Sequence, residues 1–376
     1  MSASIRIMHV ISSLNRGGAE LSLLSICRGA AARDARLTFK VVVLFDMQEL
    51  TPAFAAAGID TLCLRVPRNG FFTKLARTWR AIRRWRPHLV HTHLCYGDRH
   101  GQAAAILAGV KLRVSTVHNI DTLVPWQELC TRRLVGATAT RVIAVSAAAR
   151  AACARAYGCP AKKITVIHNA PSFTPREVAP RKHPGRGGPL KLVSVGTLRE
   201  QKGHRYLIDA VEMLISEGIP ARLAVYGADC GGMRARLMGS IRAKGLTDAV
   251  ALMGATENVE QVLRQADVFV AASISEGFHM ALVEAMSMGL PVAATDIPAH
   301  REVLGATDEQ LFAAPASGRA LADALRTLAS DTDRYERLSR AGIERAGRFT
   351  EQAMIDSYGA FYGSLVDTAA SGGGRA

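Results

Sequence analysis

The chain has 376 residues, 49% of them hydrophobic, and a formal net charge of +15. This length predicts two domains with large cores, and no apolar run reaches the roughly 18 residues of a membrane span, which argues against an integral membrane protein. The seven cysteines show neither a CxxC pair nor a metal-ligand spacing, and the amino terminus leads directly into an apolar run. We therefore expect reduced thiols and a cytoplasmic protein without a leader.

The positive charge is concentrated in the first half of the chain. Residues 1–188 carry 28 Lys/Arg and 9 Asp/Glu, a net charge of +19, whereas residues 189–376 carry a net charge of −4. A basic half predicts an anionic partner, which is nucleic acid, an anionic lipid surface or a phosphate-bearing acceptor. Because no nucleic-acid-binding motif is present and only 6% of residues are aromatic, we expect no nucleic acid partner. A peripheral position on the inner face of the cytoplasmic membrane is a further expectation.

The chain begins with a strand, a glycine turn and a helix. IRIMHVIS at 5–12 predicts a buried strand, LNRGGAE a turn, and LSLLSICRGAA a helix. Gly17 and Gly18 would let backbone N–H groups approach a phosphate at the start of that helix, although such turns are also common without a ligand. Residues 40–45 and 59–66 predict the next two strands.

Residues 71–86 predict a basic crossover helix. The segment FFTKLARTWRAIRRWR contains no acidic residue. Leu75, Trp79 and Ile82 recur at helical spacing and predict an apolar stripe that packs on the sheet. The arginines give the helix a basic face, which suits either plain solvation or a membrane headgroup layer.

Two strand ends in this half carry histidines. PHLVHTHLCYGD at 87–98 predicts a strand that ends with His91 and His93 on one face, and VSTVHNI at 114–120 predicts one that ends at His118. Two histidines are too few ligands for a metal site, so we expect none here. A histidine at the carboxyl edge of a strand is placed to bond a sugar hydroxyl or a diphosphate, or it is simply a satisfied loop residue.

A linker separates the two predicted domains. Ser146 predicts the start of a helix, and ITVIHNAPSF at 164–173 closes a first domain that spans residues 1–173. TPREVAPRKHPGRGGP at 174–189 is rich in Pro, Gly and charge, which is typical of an interdomain linker. A second domain then spans residues 190–349.

The second domain opens with another strand, turn and helix, LKLVSVGTLREQKGHRYLIDAVEML at 190–214. Gly196, Arg199 and Lys202 lie in the turn. Two cations beside a flexible glycine suit a diphosphate group, because they stabilise negative charge that builds up on it when it leaves. Each cation taken alone is equally well explained as a solvated surface charge.

The stretch SISEGFHMALVEAMSMGLPVAATDIPAHRE at 273–302 places two carboxylates seven residues apart. Glu276 would lie at the carboxyl edge of the sheet, where open α/β sheets bind ligands. Glu284 would lie on the following helix, about two turns or roughly 12 Å further along its axis. Acceptors at that separation suit the two ends of one extended ligand, although an exposed helical Glu is also common. The Asp331-Thr332-Asp333 triplet resembles a metal-binding DxD but better predicts a helix N-cap.

These motifs together resemble the retaining, nucleotide-sugar-dependent glycosyltransferases of family 4. The pattern SEGF…EAM…GLPV resembles the carboxyl-terminal signature of that family, VGxLxxxKG resembles its phosphate clamp, and GGAE resembles its first glycine loop. The chain departs from the family pattern at His279, at Pro298-Ala299-His300 and at Ala170, where small residues or glycines are usual.

The resemblance implies an α/β structure with the GT-B fold. Two Rossmann-like doubly wound domains would face a cleft, the first binding the acceptor and the second the nucleotide sugar, and a helix at 350–370 would cross back to brace the first domain. It also implies that Arg199 and Lys202 stabilise the departing diphosphate and that Glu276 and His118 orient the sugar. The implied donor-binding residues are Gly17, Gly18, Gly196, Gly277, Phe278 and Glu284.

The sequence therefore predicts a retaining hexosyltransferase that needs no metal and no cofactor. It would move a hexose or N-acetylhexosamine from a nucleotide-diphosphate sugar, with UDP favoured, to a lipid-linked or polysaccharide acceptor in cell-envelope glycan synthesis. A sugar-nucleotide epimerase and a noncatalytic nucleotide-sugar-binding or polyanion-binding protein are the alternatives. A nicotinamide-dependent oxidoreductase would need GxGxxG where LNRGGAE stands.

Overall fold

A computed structural model describes residues 4–67, 70–120, 124–171, 173, 175, 178–185, 187–305, 307 and 310–372, with the side chains of 368–372 left out. The chain divides into two compact units. One consists of Met1–Ser172 with Glu351–Ala376, and the other of Phe173–Thr350.

The first unit contains a seven-stranded parallel sheet. Its strands are β1 (Ile5–Ile11), β2 (Leu37–Val43), β3 (Asp60–Cys63), β4 (Leu89–His93), β5 (Leu112–Val117), β6 (Arg141–Ala144) and β7 (Ile164–Val166), in the order β3-β2-β1-β4-β5-β6-β7. The central strands β1 and β4 are buried almost throughout. Burial along nearly the whole strand is typical of strands that are covered by helices on both faces.

The helices of the first unit cover both faces of this sheet. They are α1 (Gly18–Arg33), α2 (Thr51–Ala56), α3 (Phe71–Trp85), α4 (Leu94–Gly97), α5 (Ala103–Leu107), α6 (Trp126–Thr138) and α7 (Ala147–Tyr157). A π-helical turn, Asp98–Gln102, joins α4 to α5. The predicted cap of α7 is confirmed, because Ser146 Oγ accepts a hydrogen bond of 2.9 Å from the Ala149 N–H.

The second unit contains a six-stranded parallel sheet. Its strands are β8 (Leu190–Val195), β9 (Ala221–Tyr226), β10 (Val250–Gly254), β11 (Val268–Ala271), β12 (Val292–Thr295) and β13 (Leu311–Ala313), in the order β10-β9-β8-β11-β12-β13. Its helices are α8 (His204–Ser216), α9 (Met233–Ala243), α10 (Val259–Arg264), α11 (Met280–Ser287), α12 (Pro298–Leu304), α13 (Gly318–Ser330) and α14 (Thr332–Ala346). Asp331 caps α14, as predicted, since its Oδ1 accepts from the Arg334 N–H at 2.9 Å.

Helix α15 (Glu351–Gly372) follows α14 in the chain but packs in the first unit. Met354, Tyr358 and Tyr362 join the core formed by β1, β2 and α1. Gly29 on α1 lies so close to Ile355 that a Cβ at that position would overlap the isoleucine side chain. A helix pair can approach this closely only where a glycine leaves the space.

The segment between the two predicted domains is attached to the second unit where it is described. Arg181 donates its backbone N–H to Ser339 Oγ at 2.7 Å, and its guanidinium donates to the carbonyls of Met288, Leu263 and Arg264. Residues 174, 176, 177 and 186 of the predicted linker, and residues 373–376 of the tail, lie outside the described residues.

Helix α3 differs from the predicted stripe. Lys74, Thr78, Ala81 and Ile82 form its buried face, whereas Trp79 is 37% exposed. The buried Lys74 Nζ donates to the Pro67 carbonyl at 2.7 Å, which lets a lysine occupy an inward position. Among the helices of the described residues, none combines the length and the apolar character needed to cross a bilayer.

Both sheets reverse their strand order at one place. The reversal lies between β1 and β4 in the first sheet and between β8 and β11 in the second. In doubly wound sheets the crevice outside the carboxyl ends of the strands at such a switch point is the place where ligands bind. The sequence-predicted site residues can therefore be located relative to these two edges.

Candidate active site

The switch edge of the second unit carries a buried ion pair. Lys202 lies in the 3-10 turn that follows β8, and its Nζ is 2.5 Å from Glu276 Oε1, which follows β11. Ser273 Oγ donates to the same carboxylate oxygen at 2.7 Å. Burial by itself raises the pKa of Glu276, but the Lys202 ammonium and these hydrogen bonds lower it to about 2. The carboxylate is therefore ionised at neutral pH.

Glycines make this arrangement possible. A Cβ at Gly196 would lie 3.1 Å from Lys202 Cε, so the lysine stem runs across the bare backbone of that residue. Gly203, directly after Lys202, has a φ of +66°, and a Cβ there would also overlap the Ala272 carbonyl. Any other residue at Gly203 would be strained, so the turn that presents Lys202 depends on this glycine.

The other predicted residues of this edge occupy different environments. Arg199 precedes the turn and is exposed, and its guanidinium has no partner among the described residues. Gly277 and Phe278 are buried, and the Phe278 ring packs edge-on against Phe349 at 5.5 Å.

Glu284 lies closer to the start of its helix than predicted. Helix α11 begins at Met280, so Glu284 is its fifth residue and lies about one turn from its start. The predicted separation of two helical turns from Glu276 was wrong, because residues 277–279 are not helical. Glu284 is only 4% exposed, which argues against the alternative of an exposed helical carboxylate.

A buried histidine pair, His279 and His300, lies near Glu276. His279 Nδ1 is 2.9 Å from His300 Nε2, and His300 Nδ1 is 2.9 Å from the Thr295 carbonyl. Since a carbonyl only accepts, His300 carries its proton on Nδ1 and accepts from His279 Nδ1–H. Burial and the Lys202 ammonium hold the pKa of His279 well below its usual range, so both rings are neutral. These are the positions at which the sequence departs from the family pattern.

The switch edge of the first unit begins with the predicted glycine turn. Gly17 is the N-cap of α1 and Gly18 is its first residue, so the backbone N–H groups of the first helical turn lie at this edge. Glu20 lies in that turn, is buried, and accepts from Ser13 Oγ at 3.3 Å. Burial raises the pKa of Glu20. A bare backbone at Gly17 leaves room for the Glu20 carboxylate, since a Cβ there would lie 2.6 Å from Oε2.

Histidines from three strands meet at the same edge. The register places His9 on β1 beside His91 on β4, and His93 is two residues further along β4 on the same face. His9 Nδ1 is 2.9 Å from His93 Nε2, and His93 Nδ1 is 3.2 Å from His118 Nε2, just after β5. His91 bonds instead to Tyr362 Oη at 2.8 Å and to Thr116 Oγ1 at 2.7 Å.

Sequence reasoning missed two of these features. His9 supplies a third ring beside His91 and His93, and ligand atoms of the three lie within 4.8 Å of one another, so the site offers more potential metal ligands than the sequence indicated. The HVIS end of β1 could have signalled this, because parallel neighbours bring their carboxyl ends together. The pairing of His279 with His300 had no comparable signal, since it depends on how α11 and α12 approach each other.

A groove of about 600 Å³ lies at the opposite edge of the first sheet. Arg83, Arg86, His88 and Lys111 contribute to its lining. It lies at the amino ends of β4 and β5, where parallel α/β sheets do not usually bind ligands. We therefore place the candidate site at the two switch edges.

Comparison with known proteins gives two family matches. The model of Glycosyltransferase Family 4 matches residues 16–170, and the model of Glycosyl transferases group 1 matches residues 175–345. The first match includes the Gly17 turn and the histidine edge. The second includes the Lys202 turn and the two glutamates.

Individual relatives and solved structures extend over most of the chain. The protein EpsF of Bacillus subtilis is 27% identical over 78% of this chain and 80% of its own length. The UDP-Gal:alpha-D-GlcNAc-diphosphoundecaprenol alpha-1,3-galactosyltransferase of Escherichia coli is 25% identical, over 64% of this chain and 65% of that protein, slightly less than two thirds of its length. The crystal structure of Anabaena Alr3699/HepE in complex with UDP-glucose superposes with a TM-score of 0.80 at 21% identity and covers 96% of this chain and 100% of that one.

The two family models match successive parts of the chain, and each part contains one of the two switch edges. The fold of the solved structures agrees with the two Rossmann-like sheets. The chain belongs to the family 4, group 1 glycosyltransferases and has the GT-B fold.

Proposed function

We propose that the chain is a retaining, metal-independent glycosyltransferase. It would transfer a hexose or N-acetylhexosamine from a UDP-sugar to a lipid-linked or polysaccharide acceptor in cell-envelope glycan synthesis. The observation that carries the proposal is the Lys202–Glu276 pair at the switch edge of the second unit. The UDP-glucose complex of HepE supports UDP as the nucleotide of the donor. The Escherichia coli galactosyltransferase supports a galactosyl donor and a diphospholipid acceptor.

In this proposal Lys202 and Arg199 stabilise the diphosphate as it leaves. Lys202 is preorganised by Glu276 and by the bare backbone of Gly196, so little reorganisation is needed when negative charge develops. Arg199 is exposed at the start of the same turn and is free to approach a phosphate. A preorganised cation at this place would stabilise the negative charge that a metal ion stabilises in other transferases.

The carboxylates bind the two ends of the donor. Glu276 is ionised, so it accepts hydrogen bonds from sugar hydroxyls, and Glu284 accepts from the ribose diol. Gly277 and Phe278 contribute backbone groups between them. Because no residue is assigned as a covalent nucleophile, the acceptor hydroxyl would lose its proton to an oxygen of the leaving phosphate, and the new bond would form on the face that the phosphate leaves.

The first unit would bind the acceptor, and its switch edge would also bond to the diphosphate and the sugar of the donor. The N–H groups at Gly17 and Gly18 suit a diphosphate oxygen, since a helix N-terminus favours negative charge. His118 would bond the sugar.

The test is turnover with a panel of UDP-, GDP- and ADP-sugars and a polyprenyl-diphosphate glycan acceptor. We expect thermal stabilisation by UDP-sugars, release of UDP, an α-linked product from an α-linked donor, and full activity in excess EDTA. A β-linked product would overturn retention, and activity that EDTA abolishes and Mn²⁺ restores would overturn metal independence.

The same experiment separates the alternatives. A sugar-nucleotide epimerase would change the sugar without releasing UDP and without an acceptor. A noncatalytic binding protein would be stabilised by the nucleotide sugar and leave it unchanged. Binding of GDP- or ADP-sugars in preference to UDP-sugars would correct the base assignment and leave the reaction class in place.

We also infer that the first unit works at an anionic membrane surface. Helix α3 exposes Phe72 (81%) and Trp79 (37%) together with the guanidinium groups of Arg80, Arg83 and Arg84. Aromatic side chains at the headgroup level and basic residues near anionic lipids both favour peripheral binding. A lipid-linked acceptor would be met at that surface.

A further inference from the structure

Three imidazoles of the first unit form a hydrogen-bonded chain from the core to the switch edge. The bonds join His9 Nδ1 to His93 Nε2 and His93 Nδ1 to His118 Nε2. One nitrogen is left at each end, His9 Nε2 and His118 Nδ1. Both are buried, and neither has a hydrogen-bond partner among the described residues.

The three rings are neutral. Burial lowers the pKa of His9 to about 3 and that of His118 to about 4, and burial with the neighbouring imidazoles holds the pKa of His93 well below its usual range. Besides burial, only the imidazoles of His91, His9 and His118 contribute to the lowered pKa of His93, and no carboxylate opposes it. The neighbours Phe39 and Tyr362 are aromatic rings.

Neutrality forces one direction on the whole chain of bonds. A neutral imidazole has one N–H and one lone pair, and the central ring, His93, uses both of its nitrogens. Either every N–H points toward His118, or every N–H points toward His9. Mixed arrangements leave two N–H groups, or two lone pairs, facing each other.

The surroundings of the two ends decide between the two directions. If the N–H groups pointed toward His9, its Nε2–H would be an unpaired donor in the core. If they point toward His118, His9 has an unfilled lone pair, and His118 carries its proton on Nδ1 at the strand edge. Each direction leaves one unpaired N–H among the described residues, at His9 Nε2 or at His118 Nδ1. His9 is fully buried in the core, whereas His118 is half-buried at the strand edge, where a bound ligand can supply the acceptor, so the second direction is favoured.

We propose that His93 and His9 are positioning residues that hold His118 as a hydrogen-bond donor, with its proton on Nδ1, toward an acceptor oxygen of the bound nucleotide sugar. The inference rests on the proposed function, which places His118 beside the donor. It adds that His118 does not act as a base, since its Nε2 lone pair is occupied by His93.

A bound metal ion is the competing use of these rings. His9, His91 and His93 offer three ligand atoms, but each metal ligand must present a lone pair. Both nitrogens of His91 already bond to Tyr362 and Thr116, and the His9–His93 contact is itself a hydrogen bond. The observed contacts therefore favour the hydrogen-bonded chain over a metal site.

The first experiment is NMR on the full chain labelled with ¹⁵N-histidine at pH 7.5. Two-bond ¹H–¹⁵N correlations identify which nitrogen of each neutral ring carries the proton, and His118→Gln assigns the His118 signals. We expect His118 to be protonated on Nδ1. In His93→Leu we expect a mixture of both His118 tautomers, whereas His93→Gln, which can accept and donate in the same places, should preserve Nδ1 protonation.

Steady-state kinetics then connect the tautomer to turnover. His93→Leu should lower kcat/KM for the UDP-sugar roughly tenfold, the effect of one hydrogen bond, and His93→Gln should recover most of that loss. His91→Gln is the matched control, because His91 is equally buried in the same cluster but lies outside the chain of bonds. It should lower the melting temperature and leave the His118 tautomer unchanged.

Several results would overturn the inference. These are Nε2 protonation of His118 in the unmodified chain, an unchanged tautomer in His93→Leu, the same tautomer change in His91→Gln, or one equivalent of zinc by elemental analysis of the purified protein. If the chain turns over no nucleotide sugar, the proposed function fails, but the NMR result still decides whether the hydrogen-bonded chain sets the His118 proton.

Discussion

The switch edges of the two units share one topology and differ in their electrostatics. At the edge of the first unit, neutral imidazoles from β1, β4 and the end of β5 bond to one another. At the edge of the second, an ammonium and a carboxylate face each other at 2.5 Å, with a neutral histidine pair behind them. The first edge offers neutral imidazoles that are joined by hydrogen bonds. The second offers an ammonium group and a carboxylate that fix each other's positions.

Net charge alone would have suggested a charged site in the first unit and a less charged site in the second. Residues 1–188 carry +19 and residues 189–376 carry −4, yet the ion pair with the preorganised lysine lies in the acidic half. Part of the basic excess of the first half lies on the exposed face of α3. Site chemistry therefore has to be deduced from local contacts, and net charge relates to the partners that approach the surface.

Removing the lysine of the charged edge should have the largest effect. We expect Lys202→Ala to lower kcat by two to three powers of ten, the range found for removing one preorganised charge stabiliser. It also leaves the Glu276 carboxylate buried without its cation, which costs about 3–5 kcal/mol of stability. Turnover and melting temperature are measured together, and Lys202→Met combined with Glu276→Gln gives a neutral pair for comparison.

Lys244→Ala is the matched control for this prediction. Lys244 belongs to the same unit and contacts Asp209 at 3.0 Å and Glu212 at 2.5 Å, but it lies on the surface away from β8 and β11. Its loss should leave kcat unchanged and alter stability by about 1 kcal/mol or less. Near-normal kcat in a folded Lys202→Ala protein would show that the lysine is not a phosphate clamp.

The basic face of α3 provides the second test, because it separates surface charge from edge chemistry. Changing Arg80, Arg83 and Arg84 to Glu should weaken binding to anionic vesicles about a hundredfold, since each basic side chain contributes about 1 kcal/mol. Turnover of a water-soluble acceptor should not change. Arg77 is left intact, because it donates to the Leu64 carbonyl at 2.6 Å.

Vesicle flotation at low and raised salt measures this binding. The control variant carries the same three changes at the exposed Arg234, Arg236 and Arg242 of α9 in the second unit. If the control weakens vesicle binding as much, or if neutral and anionic vesicles bind equally, α3 is a solvated basic face and nothing more.

A smaller effect is expected for Glu284 on helix α11. If Glu284 accepts both ribose hydroxyls, Glu284→Gln should weaken UDP binding by about 1–3 kcal/mol and the binding of 2′-deoxy-UDP much less. Calorimetry with both nucleotides measures the difference. Equal losses would mean that Glu284 does not bind the ribose, and Glu260→Gln on α10, where the carboxylate pairs with Arg264, is the surface control.

The glutamates also illustrate how far the sequence could predict the site. The spacing of Gly196, Lys202 and Glu276 correctly placed them at one sheet edge, because strand–turn–helix units bring loops to the carboxyl ends of the strands. The start of α11 at Met280 was not predictable, since its N-cap position holds His279 and not the Ser, Thr, Asp or Asn that usually marks the start of a helix. The buried face of α3 was predicted in part: Ile82 and Leu75 pack on the core as expected, whereas Trp79 is 37% exposed. Lys74 lies inward instead, because the carbonyl of Pro67 accepts from its Nζ.

Contacts between elements distant in sequence were beyond the reach of pattern analysis. His9 lies 84 residues from His93, and His91 lies 271 residues from Tyr362, yet each pair is within hydrogen-bond distance. Strand order brings the first pair together and the return of α15 the second. The sequence analysis singled out His91, His93 and His118 but not His9, and the topology determines which of these side chains are hydrogen-bonded to one another.

The pH dependence of stability sharpens the contrast between the two edges. Burial lowers the pKa of His118 to about 4 and that of His9 to about 3, whereas an unfolded histidine titrates near 6.5. Below pH 6.5 the unfolded chain takes up protons that the folded rings do not, so their contribution is lost as the pH falls toward 4. Glu276, with its pKa lowered to about 2, loses its contribution only below about pH 4.5.

Two substitutions in the first unit should change this dependence in opposite directions. His9→Phe removes one titrating ring and should flatten the slope of unfolding free energy against pH by about 1.4 kcal/mol per pH unit between pH 6 and 5. Burial raises the pKa of Asp98 to about 7, so the folded carboxyl keeps a proton that the unfolded one has lost, and its contribution falls as the pH rises. Asp98→Asn should therefore steepen the slope by a similar amount.

Urea denaturation at pH 7, 6 and 5 measures these slopes in the first unit alone. All three tryptophans of the chain, at positions 79, 85 and 126, lie in that unit, so their fluorescence reports its unfolding without a contribution from the second unit. Parallel slopes for the unmodified chain and His9→Phe would mean that the buried ring is charged when folded. A charged His9 would also contradict the neutral chain of imidazoles, because its Nε2–H would be a buried donor without a partner among the described residues.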